Sequence, residues 1–248
     1  MSANPIGFVH GLTFDDLPAP VVAQAKRCLL DLIGVAASGR QTALSRIVHG
    51  FAVSQMGAAA GGARLIFDGR RASVTGAAYA GASTIDSFDA HDGHRLTKGH
   101  AGVAVLPALL AFAEQKPIDG REFITSLVLG YEIATRAGMA LHATARDYHT
   151  SGAWNALGCA AIGARLLGLG ADATRHALGI AEYHGPRSQM MRCIDHPTMV
   201  KDGSGFGAPV KPSAARQAAE TPASAPKPEP SFTMVGWSMQ RIIWLRGP

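Results

Sequence analysis

Helix after helix is what this 248-residue chain spells out, and a mainly α, multi-helix domain is the fold class it predicts. Three observations carry the prediction. Apolar residues recur at three- and four-residue spacing in one segment after another. The segments open near Asp, Thr or Pro and stop at Gly or Lys-Pro, as helix ends do. The composition is rich in small residues, with aromatics only 6% against 47% hydrophobic, which suits helices packed closely on one another.

The first helix is expected from Leu17 or Pro18, with Thr13, Asp15 or Asp16 as caps and Pro18 in the first turn. Val21, Ala25, Cys28, Leu29, Leu32 and Val35 then recur at helical spacing, and Gly39 stops it. Ala43 to Met56 reads as a second amphipathic helix with Leu44, Ile47, Val48 and Phe51 on one face. A turn at Gly57–Gly62 leads to a hairpin signal at Asp68-Gly69, the one strand signal in the chain. Ala72 to Ala82 is a helix of small residues that delivers the chain to Asp86. Val103 to Ala113 follows, closed by Lys116-Pro117. Asp119 caps a helix carrying Phe123, Leu127, Val128, Tyr131 and Ile133. Gly152 to Leu169 reads as a buried helix, and Ala173 to Ala181, with Asp172 near its start, as another.

Near Ala208 the character changes. Six prolines fall between Pro209 and Pro230, and apolar periodicity stops. The expected organisation is a helical domain over 1–208 and a disordered Pro/Ala-rich tail over 209–248.

Composition also excludes. The N-terminus lacks a basic segment followed by an apolar one, and no run of eighteen apolar residues exists, so neither a signal peptide nor a membrane partner is expected. Three widely spaced cysteines suit free thiols in a reducing compartment, hence a cytoplasmic protein. The formal charge of +5 is dispersed and has no basic stripe with interleaved aromatics, which argues against nucleic acid and is compatible with a small anion. GxGxxG after a strand, GxxxxGK[ST], CxxC, HExxH and GxSxG are all missing, so nucleotide, zinc-finger and common hydrolase chemistries are not indicated.

Chemistry concentrates in DSFDAHDGHRLTKGH, where Asp86, Asp89 and Asp92 mix with His91, His94 and His100. Histidine titrates near neutrality and a carboxylate orients it, so such pairs suit acid–base work. Asp89, His91, Asp92 and His94 are also residue types that bind divalent ions, and a solvated loop is the third reading. Further on, His149 and Thr150 stand just ahead of a helix, where free backbone N–H groups favour an anion. Lys201 lies in a Gly-rich stretch and by itself is a surface charge.

Together these stretches resemble the MmgE/PrpD family. The likeness runs through LPAPVVAQAKRCLLDLIGVAASG, DSFDAHDGH, KGHAGVAVLPALLAFAE, YHTSGAWNALGCAAIGARLLGLGADATRHALGIAE and HPTMVKDGSGFGA, in that order, over roughly Leu12 to Ala208. The resemblance implies a helical domain completed in the family by an α+β lid domain, a homodimer, and no cofactor or metal. It implies action on a small di- or tricarboxylate by removal of water or carbon dioxide or by inversion beside a carboxylate; 2-methylcitrate dehydratase, cis-aconitate decarboxylase and iminodisuccinate epimerase are members. Carried over by position, it makes Asp89 and Asp92 the acidic residues, His100 and His149 the candidate bases and Lys201 the neutraliser of substrate charge. His94 falls near the family's threonine or histidine and is expected to bind substrate, as is Thr150 from its place ahead of a helix. Ala101 departs from the family's proline, and the spacing around it differs slightly. The likeness ends at Ala208, so the lid is expected to be missing and the chain to be truncated. Two alternatives accompany this reading. One is a metal-dependent helical phosphohydrolase of HD type built on His91-Asp92, His49 and Asp147; the other is a non-catalytic remnant.

Overall fold

A computed structural model describes residues 4–58, 61–145, 150–186 and 202–208, together with 215, 218 and 219. His149, Lys201, Asp147 and nearly all of 209–248 lie outside the described residues.

The chain opens on a helix that periodicity does not announce, α1 (Pro5–Gly11). Its signal is local: the Asn4 side chain accepts the Ile6 and Gly7 N–H groups at 3.1 and 3.2 Å, and Pro5 supplies a first-turn residue that needs no donor. Thr13 and Asp16 cap something smaller than expected. The Thr13 N–H and hydroxyl donate to the Asp16 carboxylate at 2.9 and 2.6 Å, closing a 3-10 turn over Phe14–Asp16. The long helix α2 (Ala19–Gly39) then starts after Pro18 and buries Ala25, Leu32, Val35 and Ala36.

Helix α3 (Ala43–Gln55) has the expected bounds but turns a different face inward. Ser45, Val48, His49 and Ala52 are buried, whereas Leu44, Ile47 and Phe51 are exposed. Polar bonding explains the choice. His49 Nδ1 pairs with Asp68 at 3.0 Å and Nε2 with the Thr84 hydroxyl at 2.8 Å; Ser45 meets Thr84 at 2.9 Å. Turning Leu44 and Ile47 inward would strand these groups without partners, which costs about 1–3 kcal/mol for each buried polar group. The hairpin is present as β1 (Ala63–Arg64) and β2 (Arg71–Ala72), antiparallel with Ala63 opposite Ala72. Its turn carries Asp68, which also accepts from Arg40 at 2.7 Å.

Two helices are buried almost all round, α4 (Val74–Asp86) and α5 (Gly102–Ala113), and with α7 (Ser151–Leu166) they form the centre. Helices α2, α3, α6 (Gly120–Thr144) and α8 (Ala171–His184) pack around them. Asp119 caps α6 by accepting the Glu122 N–H at 2.8 Å. The short helix α9 (Asp202–Gly207) lies on α4 and α7 with Gly205 and Gly207 buried, so the Gly-rich stretch after Lys201 is packed structure. Leu106, Leu109, Phe112, Leu127, Leu129, Trp154 and Ile162 fill the core. Small residues let α6 and α7 cross closely: a Cβ on Gly158 would stand 2.5 Å from the Gly130 carbonyl oxygen. Among the described residues no helix is long and apolar enough to cross a membrane.

Candidate active site

The charged stretch becomes the connection between α4 and α5, and it is folded by its own turns. Asp89 adopts φ 42°, a left-handed conformation that Asp tolerates better than most side chains. Downstream, the His94 N–H donates to the Gly99 carbonyl at 2.9 Å, and the Thr97 hydroxyl donates to the His94 carbonyl at 3.0 Å. Lys98, at φ 48°, completes this turn. The loop thereby doubles back and sets His100 against Asp92.

His100 is held at three points. Its N–H donates to the Ser151 hydroxyl at 3.0 Å, its carbonyl accepts from the Asn155 side chain at 2.8 Å, and ring Nδ1 lies 2.9 Å from the Asp92 carbonyl. A carbonyl can only accept, so Nδ1 carries the hydrogen and Nε2 keeps its lone pair in the neutral ring. Nε2 faces Asp89, 3.9 Å away, with the imidazole about a third exposed and the carboxylate half exposed. On the other side lies His91, fully buried, its ring centroid 4.1 Å from that of His100 and its Nε2 3.6 Å from Asp86.

Asp92 faces inward. Its carboxyl is pushed up to about 6, chiefly by burial and further by Asp31, against the pull of the Tyr131 hydroxyl and of His100. Asp92 Oδ1 and the Tyr131 hydroxyl converge on the first residue of α5: a Cβ on Gly102 would lie 2.7 and 2.1 Å from them. Burial, with the Asp92 charge beside it, raises the Tyr131 phenol far above its ordinary value, and burial raises the Cys28 thiol nearby. The Asp92 N–H donates to the Asp31 carboxylate of α2 at 2.9 Å.

The structure thus brings Asp89, Asp92 and His100 together and adds Asp86 and His91 from the same stretch. His94 is exposed, and its backbone closes the turn. Thr150 stands at the N-cap of α7, beside Ser151. His149 and Lys201 lie outside the described residues. Sequence reasoning missed Asp31, Tyr131, Ser151 and Asn155. Ser151 and Asn155 left a faint signal, four apart on one face at the start of a helix; Tyr131 read as part of an apolar face.

Two chemical properties follow. The N-termini of α5 and α7 both meet at His100, so backbone dipoles favour negative charge there. Asp89, His91 and His100 also form a nitrogen–nitrogen–oxygen donor set whose ligand atoms lie within 4.8 Å of one another. A tetrahedral ion with bonds near 2.0–2.1 Å needs ligand atoms about 3.3 Å apart, so these side chains would have to close in to hold one. The phosphohydrolase reading also called on His49, whose ring is bonded instead to Asp68 and Thr84.

The model of the MmgE/PrpD N-terminal domain matches residues 6–208. The chain belongs to the MmgE/PrpD family. Every described residue of the site lies within the matched part. Among relatives of this MmgE/PrpD chain, the cis-aconitate decarboxylase-like protein oryM of Aspergillus oryzae is 28% identical over 232 residues, covering 84% of this chain and 46% of that protein. Cis-aconitate decarboxylase of Aspergillus terreus is 31% identical over 190 residues, covering 73% and 38%. The Mus musculus cis-aconitate decarboxylase is 30% identical over 189 residues, covering 72% and 38%. The MmgE/PrpD chain spans less than half the length of these curated relatives.

Proposed function

We propose that this MmgE/PrpD chain carries the acid–base part of a cofactor-independent lyase or isomerase that acts on a small di- or tricarboxylate. The observation that carries the reading is the orientation of His100, with Nδ1–H spent on the Asp92 carbonyl and Nε2 turned toward the half-exposed Asp89 carboxylate. In a dehydration Nε2 removes a proton from carbon beside a carboxylate while the C–OH bond of the adjacent carbon breaks, the hydroxide leaving as water with that proton. In an inversion Nε2 removes the proton and the carbon takes a proton back on its opposite face. In a decarboxylation the protonated ring returns a proton to the carbon that has lost carbon dioxide. Asp89 steadies the imidazolium, and the two helix N-termini favour the substrate's carboxylates. His149 and Lys201 add a second histidine and a cation, and His94 and Thr150 contact substrate. The names of the relatives favour cis-aconitate, and 2-methylcitrate dehydration is the other candidate reaction. Assembly as a homodimer, in the cytoplasm, belongs to the same proposal, and sedimentation velocity measures the first.

Incubation of the chain with cis-aconitate or 2-methylcitrate, followed by proton NMR, tests the activity. His100→Gln is expected to lower turnover by roughly 10²–10⁴-fold. Absence of turnover of either acid, combined with no rise in thermal midpoint when the acids are added, would refute the reading.

A further inference from the structure

We propose that Asp31, on the outer face of α2, is a positioning residue for His100 that fixes which imidazole nitrogen is free. Two hydrogen bonds lead from it to the ring. The Asp92 N–H donates to the Asp31 carboxylate at 2.9 Å, across 61 residues of sequence. The Asp92 carbonyl in turn takes the Nδ1 hydrogen of His100 at 2.9 Å. Ser151 and Asn155 hold only the main chain of His100, so the Asp92 carbonyl is what orients the ring.

That carbonyl belongs to a loop in need of an anchor. Three residues earlier Asp89 sits in a left-handed conformation, so the backbone does not hold its course by local preference alone. Asp31 supplies a charge-assisted bond immediately beyond it. Helix α2 does not explain Asp31 otherwise: the side chain is exposed, and mid-helix Asp is a poorer helix former than Ala. Without the anchor on its N–H, Asp92 is free to change its backbone dihedrals, the carbonyl of the next peptide unit swings away from Nδ1, and the ring can turn over, which would exchange the roles of Nδ1 and Nε2.

The inference rests on the reading of His100 as the acid–base group, and its test is separable from that reading. The full chain is labelled with ¹⁵N-histidine, and the His100 resonances are assigned by their loss in His100→Gln. The neutral ring of wild-type His100 is expected to show one tautomer, with hydrogen on Nδ1. Asp31→Ala is expected to move both ring nitrogens toward averaged shifts, and Asp31→Asn, whose amide oxygen still accepts, to restore the wild-type pattern. Where the chain turns over an acid, Asp31→Ala lowers kcat by roughly 10- to 100-fold while KM stays nearly constant. An unchanged His100 spectrum in Asp31→Ala overturns the proposal. So does loss of the fold, because Ala suits the helix better and unfolding would mean that Asp31 serves stability. A tautomer shift in a chain without turnover supports the role of Asp31 and counts against the proposed activity alone.

Discussion

Asp92 illustrates how much one carboxyl can reveal. Its folded value, about 6, lies above the ordinary carboxylate range because burial disfavours the charge. Between about pH 4 and 6 the folded chain therefore holds a proton that the unfolded chain has released. This group's contribution to stability is greatest below that window and is lost as pH rises through it. Asp92→Asn, which cannot ionise, should gain on the wild type by roughly 2–3 kcal/mol between pH 4 and pH 8, read from urea unfolding at several pH values. His49 acts in the opposite sense: burial lowers its value, so its contribution is lost as pH falls. The comparison must accordingly be variant against wild type at each pH. The density of charge from Asp86 to His100 made Asp89, Asp92 and His100 legible in the sequence. Asp31 and Tyr131 were not, because each matters only through a neighbour that the fold brings from a distance: Asp92, 61 residues beyond Asp31, and Gly102 at the start of another helix.

At the level of elements, caps and spacing located nearly every long helix. The capping contact of Asp119 and the cap at Thr42 are short-range chemistry, readable within four residues. Helix α1 escaped because seven residues give too little periodicity, and only Asn4-Pro5 announces it. The inward face of α3 was misjudged because hydrophobicity was opposed by the bonds that His49 and Ser45 make to Thr84 and Asp68, partners located elsewhere in sequence. The small-residue composition did foretell close crossings. Gly158→Ala puts a methyl group against the Gly130 carbonyl and within 2.9 Å of Ala134, so α6 and α7 must separate. A loss of about 1–3 kcal/mol is expected, measured as a lowered midpoint in thermal or urea unfolding.

Across the whole molecule, the apolar surface is uneven. Leu30 is 73% and Ile47 68% exposed, on the outer sides of α2 and α3, where lysine would cost no packing. The Leu30→Lys, Ile47→Lys double variant is expected to keep the thermal midpoint while raising the concentration at which the protein precipitates. A midpoint lowered by several degrees would show that those side chains are covered. The anchors of the site have a different consequence. His100 is fastened to Ser151 and Asn155, 51 and 55 residues downstream, and Asp92 to Asp31, 61 residues upstream. Closing contacts this far apart in sequence is slow relative to forming helices. During synthesis α2, α4 and α5 emerge while His100 still lacks both main-chain partners, and the geometry of the candidate site is completed only after the start of α7 has left the ribosome. His100 therefore stays unfastened well after its own stretch is made, until the start of α7 is there to hold it.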